Sequence, residues 1–103
     1  MNNSEIRSLI LGNSDFDISK IILFGSRAKR TNRTDSDYDV LIISKNLLSL
    51  EKRRKTKKEL RTKFADLNID ADILLKSENE VNELKTSFGS VIKEAVNEGE
   101  NLL

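Results

Sequence analysis

The sequence predicts a small α/β domain in which helices alternate with short strands, in the order α-β-α-β-α-β-α. Short apolar, β-branched runs recur along the chain as "ISKIILF", "DYDVLIIS" and "IDADILL". Stretches with apolar residues at helical spacing separate them. The 103 residues suffice for one hydrophobic core and not for two, so a single domain over 1–103 is expected.

Each element has its own signal. Ser4 is placed to cap a first helix carrying Ile6, Leu9 and Ile10, and Gly12 is a natural stop. Ile18 to Phe24 reads as a strand that Gly25 punctuates. Ser26 to Arg30 is read as the start of a short helix, and Thr31 to Ser36, "TNRTDS", as a polar loop. Asp37 to Ser44 is the second strand, and its Val40-Leu41-Ile42-Ile43 core suggests burial on both faces. Leu47 to Asn68 follows as a helix. Its first half is nearly all charge, whereas Leu60, Phe64 and Leu67 share one face in its second half. Ile69 to Leu75 is the third strand. Ser77 and Glu80 form a capping box that opens a final helix. Its apolar stripe runs through Val81, Leu84, Phe88, Val91, Ile92 and Ala95, and Gly99 closes it. Strands this short need helices on at least one face of their sheet.

Composition removes several chemistries. Lys plus Arg is 18 and Asp plus Glu is 17, a net charge of +1, so no global field draws the chain to nucleic acid or an acidic membrane. The absence of cysteine excludes disulfides, thiolate zinc sites and a cysteine nucleophile. The absence of histidine excludes a Ser-His-Asp triad and the commonest general base. Carboxylates, hydroxyls, Lys, Arg and one Tyr remain. Such a donor set suits hard cations, Mg²⁺ above all. No stretch approaches the ~20 apolar residues of a membrane span, and the N-terminus lacks a signal-peptide pattern. A cytoplasmic location is expected.

One stretch concentrates the chemistry: "FGSRAKRTNRTDSDYDVLII", Phe24 to Ile43. Asp37 and Asp39 at i and i+2 on a strand point to the same side. Two carboxylates that close need a positive neighbour, either a divalent cation or an Arg or Lys. Gly25 allows a ligand to approach the backbone closely. Ser26 adds a hydroxyl, and a helix beginning there would favour an anion. Arg27, Lys29 and Arg30 add positive charge. Together these are the parts that phosphoryl or nucleotidyl transfer requires. A third carboxylate is expected on the neighbouring strand. Asp70 and Asp72 point the same way there, so alternation cannot choose; Asp72 directly precedes an apolar run, as Asp39 does, and is favoured.

Gly25-Ser26, ten residues, then Asp37-Tyr38-Asp39 resembles the G-S-x10-D-x-D signature of the DNA polymerase beta-like nucleotidyltransferase superfamily. The likeness is greatest to its smallest members, the minimal nucleotidyltransferases. "ILFGSRAKR", "DADILL" and "IKEAVNEGENLL" extend it over nearly the whole chain. Family members often end the last motif with an aromatic residue, where this chain has Leu102-Leu103. The resemblance implies a mixed three-stranded sheet with helices packed on it, a polymerase beta palm-like fold. It implies that Gly25, Ser26 and Arg27 bind the nucleotide, ATP as substrate. It further implies that Asp37, Asp39 and Asp72 are catalytic and hold Mg²⁺. The implied reaction moves a nucleoside monophosphate, AMP from ATP, to an acceptor hydroxyl. The implied partner is a HEPN-type toxin, some of which are adenylylated on tyrosine by such antitoxins.

Other residues have plainer readings. Asp70 is a strand-edge charge. "KRRKTKK", Lys52 to Lys58, is a solvated helix face, and without interleaved aromatics it makes no nucleic-acid groove. Tyr38 points away from its flanking aspartates, into the core. Phe88, Val91 and Ile92 are read as core. An apolar surplus on the last helix would be absorbed by a homo- or hetero-oligomer. Two competing functions are a binding module that neutralises its partner by occlusion and a nucleotide sensor without turnover.

Overall fold

The computed structural model describes residues 2–25, 38–85 and 90–103. In chain order its elements are α1 (Asn3–Gly12), β1 (Ile18–Phe24), β2 (Tyr38–Ser44), α2 (Leu50–Asp66), β3 (Ala71–Ser77), α3 (Glu78–Leu84), α4 (Val91–Glu98) and β4 (Glu100–Asn101). The sheet order is β3-β2-β1-β4. β1 runs antiparallel to both β2 and β4, and β2 runs parallel to β3, so the sheet is mixed.

Two residue sets alternate along the strands and face opposite ways. Ile21, Leu23, Val40, Ile42, Ile73 and Leu75 pack beneath Ile6 and Ile10 of α1 and Leu60 and Phe64 of α2. Ile22, Phe24, Leu41 and Ile43 pack against Val81 of α3 and Ile92 and Ala95 of α4. Helices therefore cover both faces, which is why central strand β2 is almost uniformly apolar beyond Asp39. Each fully buried Leu, Ile or Phe contributes about 1.5–3 kcal/mol relative to exposure. Tyr38 lies in the first of these clusters, at 8% exposure, as its position on the strand predicts.

Several boundaries differ from the sequence reading. The helix expected over 26–30 and the loop after it lie outside the described residues. The first helix is capped not by Ser4 but by Asn2, which forms a reciprocal box with Glu5. The third strand runs two residues later than expected, through Ser77.

The sheet has four strands among the described residues, not three. β4 escaped notice because it is only Glu-Asn, polar and without β propensity. It is held by pairing with Ile22 and Leu23, and just beyond it Leu102 N–H donates to Ile21 O at 2.7 Å. Gly99 makes the turn into it. A Cβ there would collide with Ile22 Cγ2 and Ala95 O, so close approach rather than an unusual backbone angle calls for glycine.

The long final helix is instead two. α3 ends at the Lys85 cap, and α4 begins where Ser90 Oγ accepts from the Ile92 and Lys93 N–H groups. This division overturns the continuous stripe. Val91 is 51% exposed rather than core, Ile92 is buried as expected, and Phe88 lies outside the described residues.

α3 is locked to α2 through its predicted capping box. Glu80 accepts from the Ser77 N–H at 2.9 Å, while its own N–H donates to Ser77 Oγ. The same carboxylate takes a two-pronged contact from Arg53, each arm at 3.0 Å. Arg53 Nε in turn donates to Leu48 O. One member of the basic run is thus a structural clamp, not a solvated charge.

Candidate active site

The antiparallel β1 ends where the parallel pair β2 and β3 begins, so one end of the sheet gathers the tips of all three strands. Phe24 pairs with Asp39 across β1 and β2, and Asp39 pairs with Asp72 across β2 and β3. Paired residues project from the same face. Asp39 and Asp72 therefore share the face that carries Leu41, Leu74 and the α4 side chains. Asp39 is half-buried and Asp72 is exposed.

Gly25 follows Phe24 with φ +74°, the left-handed region that favours glycine. Any Cβ there would collide with Asp39 Oδ2. The glycine thus fixes the turn out of β1 and leaves space for the Asp39 carboxylate.

A cleft of about 470 Å³ opens here. Gly25, Asp39 and Asp72 line it, together with Glu94 of α4 and Lys57 and Arg61 of α2. Asp70, the other candidate for third carboxylate, does not line it. Its carbonyl instead accepts the Tyr38 N–H at 3.0 Å, starting the β2–β3 ladder. Ser26, Arg27 and Asp37 lie outside the described residues. Of the six expected site residues, the structure brings together Gly25, Asp39 and Asp72.

Lys57, Arg61 and Glu94 were not anticipated. The signal was present for the two cations: they are i and i+4, in the row beside buried Thr56, Leu60 and Phe64. Reading the basic run as uniform charge concealed that row.

The donor set was tested for a divalent cation. Asp39 and Asp72 offer hard carboxylate oxygens on adjacent strands, which suits Mg²⁺ in type. Among the described residues no group of three or more His, Cys, Asp or Glu side chains could hold a metal. The described pair would bind a cation only with further oxygens, from water, substrate phosphate or Asp37.

A larger cleft, about 540 Å³, lies between the end of α1 and the start of α2. One ion pair lines it. Lys52 Nζ lies 3.2 Å from Asp15, and this hydrogen bond and charge hold the Asp15 carboxyl below its usual range. Both partners are exposed, so the pair adds little stability. Among the described residues no positive-φ turn lines it, and the smaller cleft is the candidate site.

The polymerase beta nucleotidyltransferase family model matches residues 5–103. The chain belongs to that family. No curated protein sequence matches it directly. Solved structures share its fold at low identity. One is a toxin-antitoxin complex with AMP-PNP, 22% identical with a TM-score of 0.70, covering 100% of this chain and 73% of the other. Another is the tri-AMPylated Shewanella oneidensis HEPN toxin in complex with MNT antitoxin, 20% identical with a TM-score of 0.61, covering 98% and 68%. The MntA–HepT toxin-antitoxin complex matches at 20% identity and a TM-score of 0.60, again covering 98% and 68%. No described helix is long and apolar enough to cross a membrane.

Proposed function

We propose that this nucleotidyltransferase moves AMP from ATP to a hydroxyl on a partner protein, a tyrosine of a HEPN-type toxin, and acts as that toxin's antitoxin. The observation that carries the reading is the pairing of Asp39 with Asp72 beside the tight Gly25 turn in one cleft. The complexes with AMP-PNP and with an AMPylated HEPN toxin support the nucleotide and the partner by likeness of fold.

Each residue has a distinct task. Gly25 lets the triphosphate approach the backbone, with Ser26 and Arg27 as further phosphate contacts. Asp37, Asp39 and Asp72 would hold Mg²⁺, which when bound supplies neutralisation of the phosphate oxygens. Asp72, the outermost of the described pair, accepts the proton of the acceptor hydroxyl. The hydroxyl oxygen then bonds to the α-phosphorus, the bond from that phosphorus to the bridging oxygen breaks, and pyrophosphate leaves.

The test uses the full chain, ATP labelled at the α-phosphate, Mg²⁺ and the product of the neighbouring gene. Label is expected on that protein with the wild-type chain and not with Asp39→Asn/Asp72→Asn. Equal labelling by the double variant would sink the mechanism. A double variant that still neutralises the partner without labelling it would assign antitoxin action to occlusion.

A further inference from the structure

Lys57, half-buried, and Arg61, exposed, form one edge of the acidic cleft. The buried row of α2 is Thr56, Leu60 and Phe64. Neither cation forms an ion pair among the described residues, unlike Lys52 and Arg53 on the same helix. Two cations one helical turn apart, lining a cleft and without an ion pair among the described residues, form a ready seat for an oxyanion.

The sheet order says which part of a substrate they would meet. α2 packs on β3, the strand at one edge of the sheet. Gly25 ends β1, two strands away, a separation of about 10 Å from β3. Asp72 stands on β3 itself, on the face that α4 covers, and the cleft reaches round this edge strand to Lys57 and Arg61 of α2 on the other face. A triphosphate seated at Gly25 therefore leaves the β3 side of the cleft to the group that receives the nucleotide.

We propose that Lys57 and Arg61 are the acceptor subsite, holding a phosphate or carboxylate that the acceptor carries beside its reactive hydroxyl. The inference rests on the transferase reading, which puts the triphosphate at Gly25. The planar guanidinium of Arg61 suits two-pronged capture of either group, and the Lys57 ammonium adds a mobile point charge. Two sources supply this chemistry on a protein acceptor. One is acidic side chains flanking the hydroxyl. The other is the phosphodiester left by an earlier round of transfer, whose sugar hydroxyls can accept the next nucleotide.

Three tyrosine peptides of equal length separate these cases: one flanked by glutamines, one by glutamates, and the glutamine peptide bearing AMP on its tyrosine. Their binding to the full chain is followed by fluorescence anisotropy with Mg²⁺ and saturating α,β-methylene-ATP, whose α–β bridge cannot be broken by the transfer. The wild type is expected to bind at least one anionic peptide about tenfold more tightly than the neutral one. The preferred peptide identifies the source, and added salt erodes the preference. Lys57→Ala/Arg61→Ala should abolish the preference and leave α,β-methylene-ATP affinity within about twofold, whereas Lys57→Arg retains both. Equal binding of all three peptides by the wild type overturns the inference. So does a preference that survives in the double variant, or an α,β-methylene-ATP affinity that falls with it. A wild-type chain that binds no α,β-methylene-ATP overturns the transferase reading and this inference with it.

Discussion

Asp39 and Asp72 are register partners on adjacent parallel strands. Chain neighbours of different elements thereby become neighbours in space, and two side chains separated by a whole helix share one cleft. Asp70 has the same parity on the chain but lies before the strand, outside the cleft lining. Register and strand start, not alternation, distinguish the two aspartates.

That distinction is measurable. Asp72→Asn is expected to lower nucleotide transfer about a hundredfold or more, the scale of losing a positioned proton acceptor. Asp70→Asn keeps the carbonyl that receives the Tyr38 N–H and should stay within about twofold. Both side chains are exposed, so thermal midpoints of both variants should match the wild type. Equal losses in transfer rate would remove the assignment of Asp72.

Gly25 is expected to tolerate no side chain. In Gly25→Ala the new methyl collides with Asp39 Oδ2, and the φ of +74° is unfavourable for any L residue. The backbone cost alone is about 1–2 kcal/mol, and displacement of Asp39 should lower transfer as well. Gly12→Ala is the control. It sits at the end of α1 with open space around its Cα, so its urea midpoint should be unchanged or slightly raised. Similar midpoints for the two variants would show that Gly25 is an ordinary turn residue.

Much of the architecture was legible because the core strands are chemically distinct. β1 matched its expected limits, and β2 starts its described part at Tyr38, one residue inside the expected strand. Their β-branched runs admit few other readings. The C-terminal third was harder. The apolar stripe after Ser77 continues at helical spacing across a break that Ser90 creates by capping a new helix. A serine inside a helical pattern is weak evidence against the helix, and here local capping outweighed periodicity. β4 exists only through its partners Ile22 and Leu23, which no local pattern encodes. In the site, chain proximity linked Gly25 to Asp39, the apolar run after Asp72 favoured it over Asp70, and register shows Asp72 beside Asp39 in one cleft. The α2 cations were passed over because the basic run was read as uniform charge, although the buried row of α2 decides which of its members line the cleft.

The Arg53–Glu80 contact predicts how stability responds to acid. Partial burial of Glu80 raises its pKa, but the Ser77 N–H and the Arg53 guanidinium outweigh it, and the carboxyl is held below its ordinary value of 4.5. The folded state therefore binds fewer protons than the unfolded chain in that range. The resulting stability is complete above 4.5 and is lost as pH falls through the depressed folded value. Glu80→Gln keeps the shape, loses one prong to Arg53 because its amide nitrogen cannot accept, weakens the other and cannot titrate. It should be about 1–2 kcal/mol less stable near neutral pH, read from urea midpoints. The gap between wild type and variant should narrow steadily in acid, because protonated Glu80 resembles glutamine. A gap that stays constant from neutral pH to about pH 3 would show that Glu80 is not a charged partner of Arg53 in solution, and that the α2–α3 clamp draws its strength from packing instead.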